Sequence, residues 1–337
     1  MPIHTVLGPI DASDLGPTSI HEHLLSDLSL WAKTPTEPAP APTVTGPEMT
    51  GYLRWNGLSV PDNLVLDDPA VAGDELAYVA DAGGSAVVEL TLEGMGRRLH
   101  ELPAISRRAG VHVLVGGGFY VEETMPADVR TADVDTITEI LVDQLRNGIG
   151  QTGIRPAILG EIGTSWPITD AEWRSLRASA RAGVATGAAV YTHQSFRGQG
   201  GVAVLEVLLE EGMPADRVVI GHLDELWDPG YHREVAQAGA ILAYDTFGTD
   251  GYYGSAKLRS PSDAERLDMV EWLLSAGYGD QLVIGGDLWM KSHLHRNGGH
   301  GYDHLFRRIG PAIAALGGEA VAEQILVHTP RRLLDRP

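Results

Sequence analysis

RVVIGHLDELWDPGYHREVAQAGAILAYDTFG, residues 217–248, carries one whole unit of the fold. RVVIGHLD (217–224) is short, β-branched and almost continuously apolar, as a strand buried on both faces must be. PGYHREVAQAG (229–239) fits a helix, and AILAYDTFG (240–248) is a second buried strand. The same alternation extends along the chain. SAVVELTL (85–92), VHVLVGGGFY (111–120), PAILGEIG (156–163), AAVYTH (188–193) and QLVIGGDLW (281–289) read as strands. DTITEILVDQLRNG (135–148), TDAEWRSLRASARAGVATG (169–187), VAVLEVLLEEG (202–212) and ERLDMVEWLLSAG (265–277) read as helices, with Thr169 and Glu172 at capping-box spacing. An opening strand at about 17–23 makes eight, and eight βα units predict an α/β fold of the (β/α)8 or TIM-barrel type. A doubly wound open sheet is the alternative, but no G-x-G-x-x-G or G-x-x-x-x-G-K-[ST] follows the first strand. Residues 1–337 are read as one barrel domain with a loop insert at about 29–70, too rich in Pro and Gly for a regular element.

Composition narrows the chemistry. The 337 residues are 43% hydrophobic and carry a net charge of −20, a field that repels nucleic acid and anionic membrane surfaces. There is no cysteine, which excludes disulfides, thiolate metal sites and a cysteine nucleophile, so metal binding must use His, Asp and Glu. No apolar run reaches the ~18 residues of a membrane span and no signal-like N-terminus is present, so a cytoplasmic location is expected.

In PTSIHEHLL (17–25), His21 and His23 face the same way if the segment is a strand, whereas on a helix they would diverge by about 200°. Reactive groups of a (β/α)8 barrel gather at the C-terminal ends of its strands. There the chain places His21 and His23 on strand 1, Glu161 on strand 4, His193 on strand 5, His222 on strand 6 and Asp287 on strand 8. His100, His112, His232 and His328 fall elsewhere, and His4 precedes the barrel. Six donors, four of them imidazoles, exceed one tetrahedral site and suit two divalent cations sharing a carboxylate and a hydroxide. Glu161, on the middle strand of the series, is the candidate bridge.

HEH, GEIGTSWPIT, YTH, GHLDE, YDTFGTDGYY and GGDLWMKSHLHRNGGHGYDH together resemble the phosphotriesterase family of the amidohydrolase superfamily, from about residue 15 to the C-terminus. The likeness is greatest to its phosphotriesterase-related or phosphotriesterase homology branch. This resemblance implies a barrel with a binuclear centre, usually of zinc, with manganese or cobalt as options. It implies that His21, His23 and Asp287 hold the more buried ion, that His193 and His222 hold the more exposed one, and that Glu161 bridges. Many members bridge with a carboxylated lysine. The chain's three lysines, Lys33, Lys257 and Lys291, all lie off strand 4, so the resemblance implies the glutamate-bridged kind. Phosphotriesterases carry a His after the Asp that ends strand 7. Here the pair is Asp245-Thr246, a departure that speaks against efficient organophosphate hydrolysis.

The expected reaction is attack by the metal-bridging hydroxide on a carboxylic amide, ester or lactone, with Asp287 both ligand and proton acceptor. Vertebrate members of the branch cleave an N-acyl amino sulfonic acid, which points to an anionic tail. Arg197, Lys257, Arg259, Lys291 and Arg296 follow strands 5, 7 and 8, and a guanidinium fork suits such a tail. Arg197, four residues after His193, is the first choice, with Lys291, Tyr120 and Trp289 as further substrate contacts. Trp31, Trp55, Phe119, Trp166, Tyr252 and Tyr253 are other aromatic candidates for the pocket. Phosphoester hydrolysis, a non-hydrolytic lyase or isomerase, and an inactive binding protein are the competing readings. The partner is a small-molecule substrate, and a homodimer is one option for assembly.

Overall fold

The computed structural model describes residues 2–41, 44–195 and 200–336. Eight parallel strands follow one another in chain order: β1 Thr18–Glu22, β2 Ala86–Glu89, β3 His112–Gly117, β4 Ile158–Ile162, β5 Val190–Thr192, β6 Val218–Ile220, β7 Ile241–Tyr244 and β8 Leu282–Ile284. The ends of β8 and β1 close the barrel. Gly286 and Asp287 donate their backbone N–H to the His21 carbonyl (3.3 and 3.0 Å), and His23 donates to that of Leu288 (3.3 Å). This approach needs glycine, because a Cβ at Gly285 would stand 2.9 Å from His21 Cβ and one at Gly286 would stand 2.7 Å from Glu22 Oε1.

The unbroken apolar runs are explained by two cores. Ile20, Val88, Leu114, Ile158, Val219 and Val283 point into the barrel. Val87, Val113, Leu159, Val218, Leu242 and Leu282, one residue out of step, pack against the helices. Among the described residues each connection between consecutive strands carries one main helix: α1 Pro69–Asp81, α2 Leu102–Ala109, α3 Val134–Asn147, α4 Asp170–Thr186, α5 Gly201–Glu210, α6 Pro229–Gln237 and α7 Asp263–Ser275. The N-terminal end of the barrel is plugged by Ile3, from the hairpin Pro2–Thr5/Gly8–Asp11, with Leu15, Leu333 and Leu334. No helix among the described residues is long and apolar enough to cross a membrane.

The insert departs from its sequence reading. It contains a helix, Thr50–Asn56, and 3-10 turns at Ser29–Trp31, Pro47–Met49, Gly57–Ser59 and Pro61–Leu64. Its prolines do not break these elements because Pro47, Pro61 and Pro69 stand at their first positions, where the missing N–H costs nothing. The two ends of the insert are stapled by antiparallel pairing of Ser26–Asp27 with Val65–Leu66. Its middle docks on the antiparallel pair Gly251–Tyr253/Leu258–Ser260 beyond β7, where Gly254 N–H donates to the Trp55 carbonyl (2.9 Å) and Arg54 pairs with Asp250 (3.1 Å).

Candidate metal centre

The strand ends bring all six donors together. His21 Nε2 lies 3.3 Å from His23 Nε2, 3.4 Å from Glu161 Oε2 and 3.5 Å from Asp287 Oδ1. His23 Nε2 is 3.2 Å from the same Asp287 oxygen. On the other side of Glu161, Oε1 is 2.6 Å from His193 Nδ1 and 3.4 Å from His222 Nε2, and those two nitrogens are 2.9 Å apart. Two triads result, His21–His23–Asp287 and Glu161–His193–His222, each with its donor atoms within 4.8 Å of one another. Glu161 turns one oxygen toward each.

Ring orientation is set from behind. His21 Nδ1 donates to Asp245 Oδ2 (2.9 Å), His222 Nδ1 to Asp245 Oδ1 (3.1 Å), and His23 Nδ1 meets Thr91 Oγ1 (2.9 Å). Each therefore turns Nε2 toward the centre. His193 is reversed, with Nδ1 inward and Nε2 3.2 Å from the Tyr120 hydroxyl. Asp245 is itself held by the Tyr191 hydroxyl and the His222 backbone N–H, while Asp224 accepts the backbone N–H of Asp245. The buried Arg266 guanidinium completes the chain by donating to Asp224 (2.8 Å). His222 (φ 55°) and Asp287 (φ 44°) both occupy left-handed backbone, a strain of the kind retained where side-chain aim matters more than comfort.

This donor set fits divalent cations. Glu161 Oε2 is buried and accepts no hydrogen bond. Burial alone would raise the Glu161 carboxyl, yet the His21 and His193 rings outweigh it and hold it well below the usual carboxylate range. Burial likewise opposes charge on His21 and His222, but Asp287 and Glu161 raise the first, and Asp245 the second, well above an ordinary histidine. Glu161, Asp245 and Asp287 thus draw positive charge to the inward-facing imidazole nitrogens, the environment of a nitrogen- and oxygen-ligated metal.

A cavity of about 600 Å³ opens above the centre. Tyr120 and Trp289 line it, as do Trp31, Trp166 and Tyr253, whereas Phe119 belongs to the core and Trp55 packs on Tyr252. Lys291 corrects the sequence reading. Its ammonium is 2.7 Å from Asp62, a carboxylate of the insert, and it lines a separate cleft with Arg296. Arg259 is likewise paired, with Glu265. Arg197 lies outside the described residues. Two charged cavity residues were missed, Lys33 from the insert and Glu225 from the turn after β6. Asp245 was noticed only as a departure, although the strand-end rule that found the other donors applies to it equally.

The family model described as the phosphotriesterase family matches residues 1–334. The chain belongs to the phosphotriesterase family. It is similar to the N-acetyltaurine hydrolase of Danio rerio, 34% identical over 340 residues that cover 98% of this chain and 97% of that one. Among solved structures it is similar to a resiniferatoxin-binding protein from Rhodobacter sphaeroides, with a TM-score of 0.94, 34% identity, and 99% and 95% of the two chains covered. It also resembles the phosphotriesterase homology protein from Escherichia coli complexed with phosphate in its active site, at a TM-score of 0.80, 28% identity, and 96% and 99% coverage. As a member of this family the chain is a hydrolytic enzyme.

Proposed function

We infer that this phosphotriesterase-family enzyme uses two divalent cations, most suitably zinc, to hydrolyse a carboxylic amide, ester or lactone in a small molecule with an anionic end. The observation that carries this reading is the pair of triads sharing Glu161. His21, His23 and Asp287 would hold one ion, His193 and His222 the other, and Glu161 would span both. Nitrogen-rich donor sets of this kind suit zinc. Bound cations would supply acidified water and polarise the scissile carbonyl.

The chain's own groups complete the chemistry. Asp287 reaches the cavity from left-handed backbone at the floor, where its carboxylate would take a proton from water and return it to the leaving group. Burial, reinforced by Glu161 and Asp287, keeps the Tyr120 phenol protonated, well above its usual range. With His193 Nε2–H donating to its oxygen, the Tyr120 O–H is free to donate to the oxyanion that develops on the substrate. An N-acyl amino acid or amino sulfonate is the leading substrate class, in keeping with the activity named for the Danio rerio relative. A phosphoester is the second reading, supported by the phosphate in the Escherichia coli relative.

Asp287→Asn tests the reading. Against a panel of N-acyl amino acids, lactones and phosphoesters, the wild-type protein should turn over at least one carbonyl substrate, and the variant should lose on the order of 10²-fold in kcat. A kcat within a few-fold of wild type on every active substrate would assign the proton to another group.

A further inference from the structure

The cavity is larger than an acetylated substrate requires. Taking the ~30 Å³ share of a water molecule as a guide to one non-hydrogen atom, its volume of about 600 Å³ has room for roughly twenty, about twice the need of an N-acetyl two-carbon amino sulfonate. Its lining is also sorted by depth. Leu28, Met95 and Tyr120 are buried and pack together, with Trp31 and Trp289 laid against them. Lys33 and Lys257 are exposed at the rim. They are two of the chain's three lysines, and among the described residues neither has a carboxylate at ion-pair distance, whereas Lys291, Arg54 and Arg259 nearby each do.

The two lysines come from different segments that the fold ties together. Lys33 N–H donates to the Leu58 carbonyl (2.8 Å) within the insert, and Gly254 N–H donates to the Trp55 carbonyl (2.9 Å) across to the hairpin that carries Lys257. At the floor the Asp287 carboxylate stands beside His21 and His23, so an anionic group is accommodated at the rim and an apolar one against the buried wall.

We propose that the substrate is an N-acyl amino acid or amino sulfonate with a medium-length acyl chain. Lys33 and Lys257 read the anion, and the wall of Leu28, Met95 and Tyr120 receives the chain. Given the volume, about six to ten acyl carbons fit beside the head group. This rests on the amide-hydrolase reading above. In the reaction the C–N bond breaks, a C–O bond forms from water, and the nitrogen leaves with one proton of that water, giving a carboxylic acid and a free amine.

The test measures kcat/KM of the metal-loaded enzyme for N-acetyl, N-hexanoyl and N-decanoyl glycine and taurine, with the N-acyl glycinamides as neutral counterparts. At roughly threefold to fourfold per buried methylene, hexanoyl substrates should exceed acetyl ones by at least tenfold. The double variant Lys33→Ala/Lys257→Ala should lower the preference for acid over neutral amide about tenfold. Acetyl substrates cleaved as well as the longer ones would overturn the acyl-chain assignment while leaving amide hydrolysis standing. An unchanged acid preference in the double variant would overturn the role of the lysines. If lactones or esters are cleaved but no amide of any length is, the amide reading itself fails and takes this proposal with it.

Discussion

Asp245 never faces the cavity, yet it fixes two of the four rings of the centre, His21 and His222. One oxygen accepts from His21 on β1 and the other from His222 just past β6, so a single carboxylate sets the tautomer and tilt of a ring in each triad. Asp245→Asn keeps the shape but replaces one acceptor by a donor, and should weaken metal binding by 10-fold to 100-fold, measured by competition with a chelator. Affinity unchanged in that variant would show that the rings are positioned by packing alone. The clustering of these six side chains was legible from sequence because each terminates an apolar run, and a barrel gathers strand ends at one rim. Asp245 shares that property. Its task was hidden because β7 meets β1 only across the finished barrel, through a contact between residues 224 positions apart. Lys33 was hidden for a related reason: nothing in the spacing of a Pro-rich insert shows where its turns come to rest.

Helix α4 illustrates an element whose start also builds the site. Thr169 and Glu172 form the capping box that their spacing predicts. The buried Glu172 carboxylate does more, accepting from the backbone N–H groups of Thr169, Ser165 and Glu122 and from the Ser165 hydroxyl. It thereby fastens the loop after β4, whose Thr164, Ser165 and Trp166 line the cavity, to the turn after β3. Thr169→Ala should cost about 1 kcal/mol, the usual worth of a cap. Glu172→Ala leaves several inward-facing donors without an acceptor and should cost roughly 3 kcal/mol. Equal costs by urea denaturation would mean that Glu172 acts as a cap and no more. All eight strands were legible, since strands buried on both faces leave unbroken apolar runs. Five of the seven connecting helices were named from their patterns. The insert reading absorbed the first residues of α1, whose opening Pro69 looks like loop chemistry, and α2 is only Leu102–Ala109, too short for a strong period.

For the molecule as a whole, acid should act through a histidine remote from the centre. His232 on α6 is fully buried, with Nε2–H donating to the Leu226 carbonyl (3.0 Å) and Nδ1 accepting from the Tyr244 hydroxyl (2.8 Å). Both nitrogens are satisfied in the neutral form, and burial pushes the ring down to about 4. The unfolded chain takes up this proton near pH 6.5, so the stabilisation is complete above that pH and is lost as pH falls toward 4. Between pH 7 and 5 the loss from this one group is about 2 kcal/mol. His232→Gln should therefore show a pH dependence of unfolding shallower than wild type by that amount. Identical slopes would place the acid sensitivity elsewhere.

The central claim is that six residues from five strand ends hold two cations on which hydrolysis depends. Its most direct test is a titration of chelator-treated protein with zinc, reading bound metal by elemental analysis and turnover of an active carbonyl substrate on the same samples. The account predicts saturation at two ions per chain, with activity rising as the pair is filled and vanishing when both are removed. Saturation at one ion, or full activity in the metal-free protein, would contradict it.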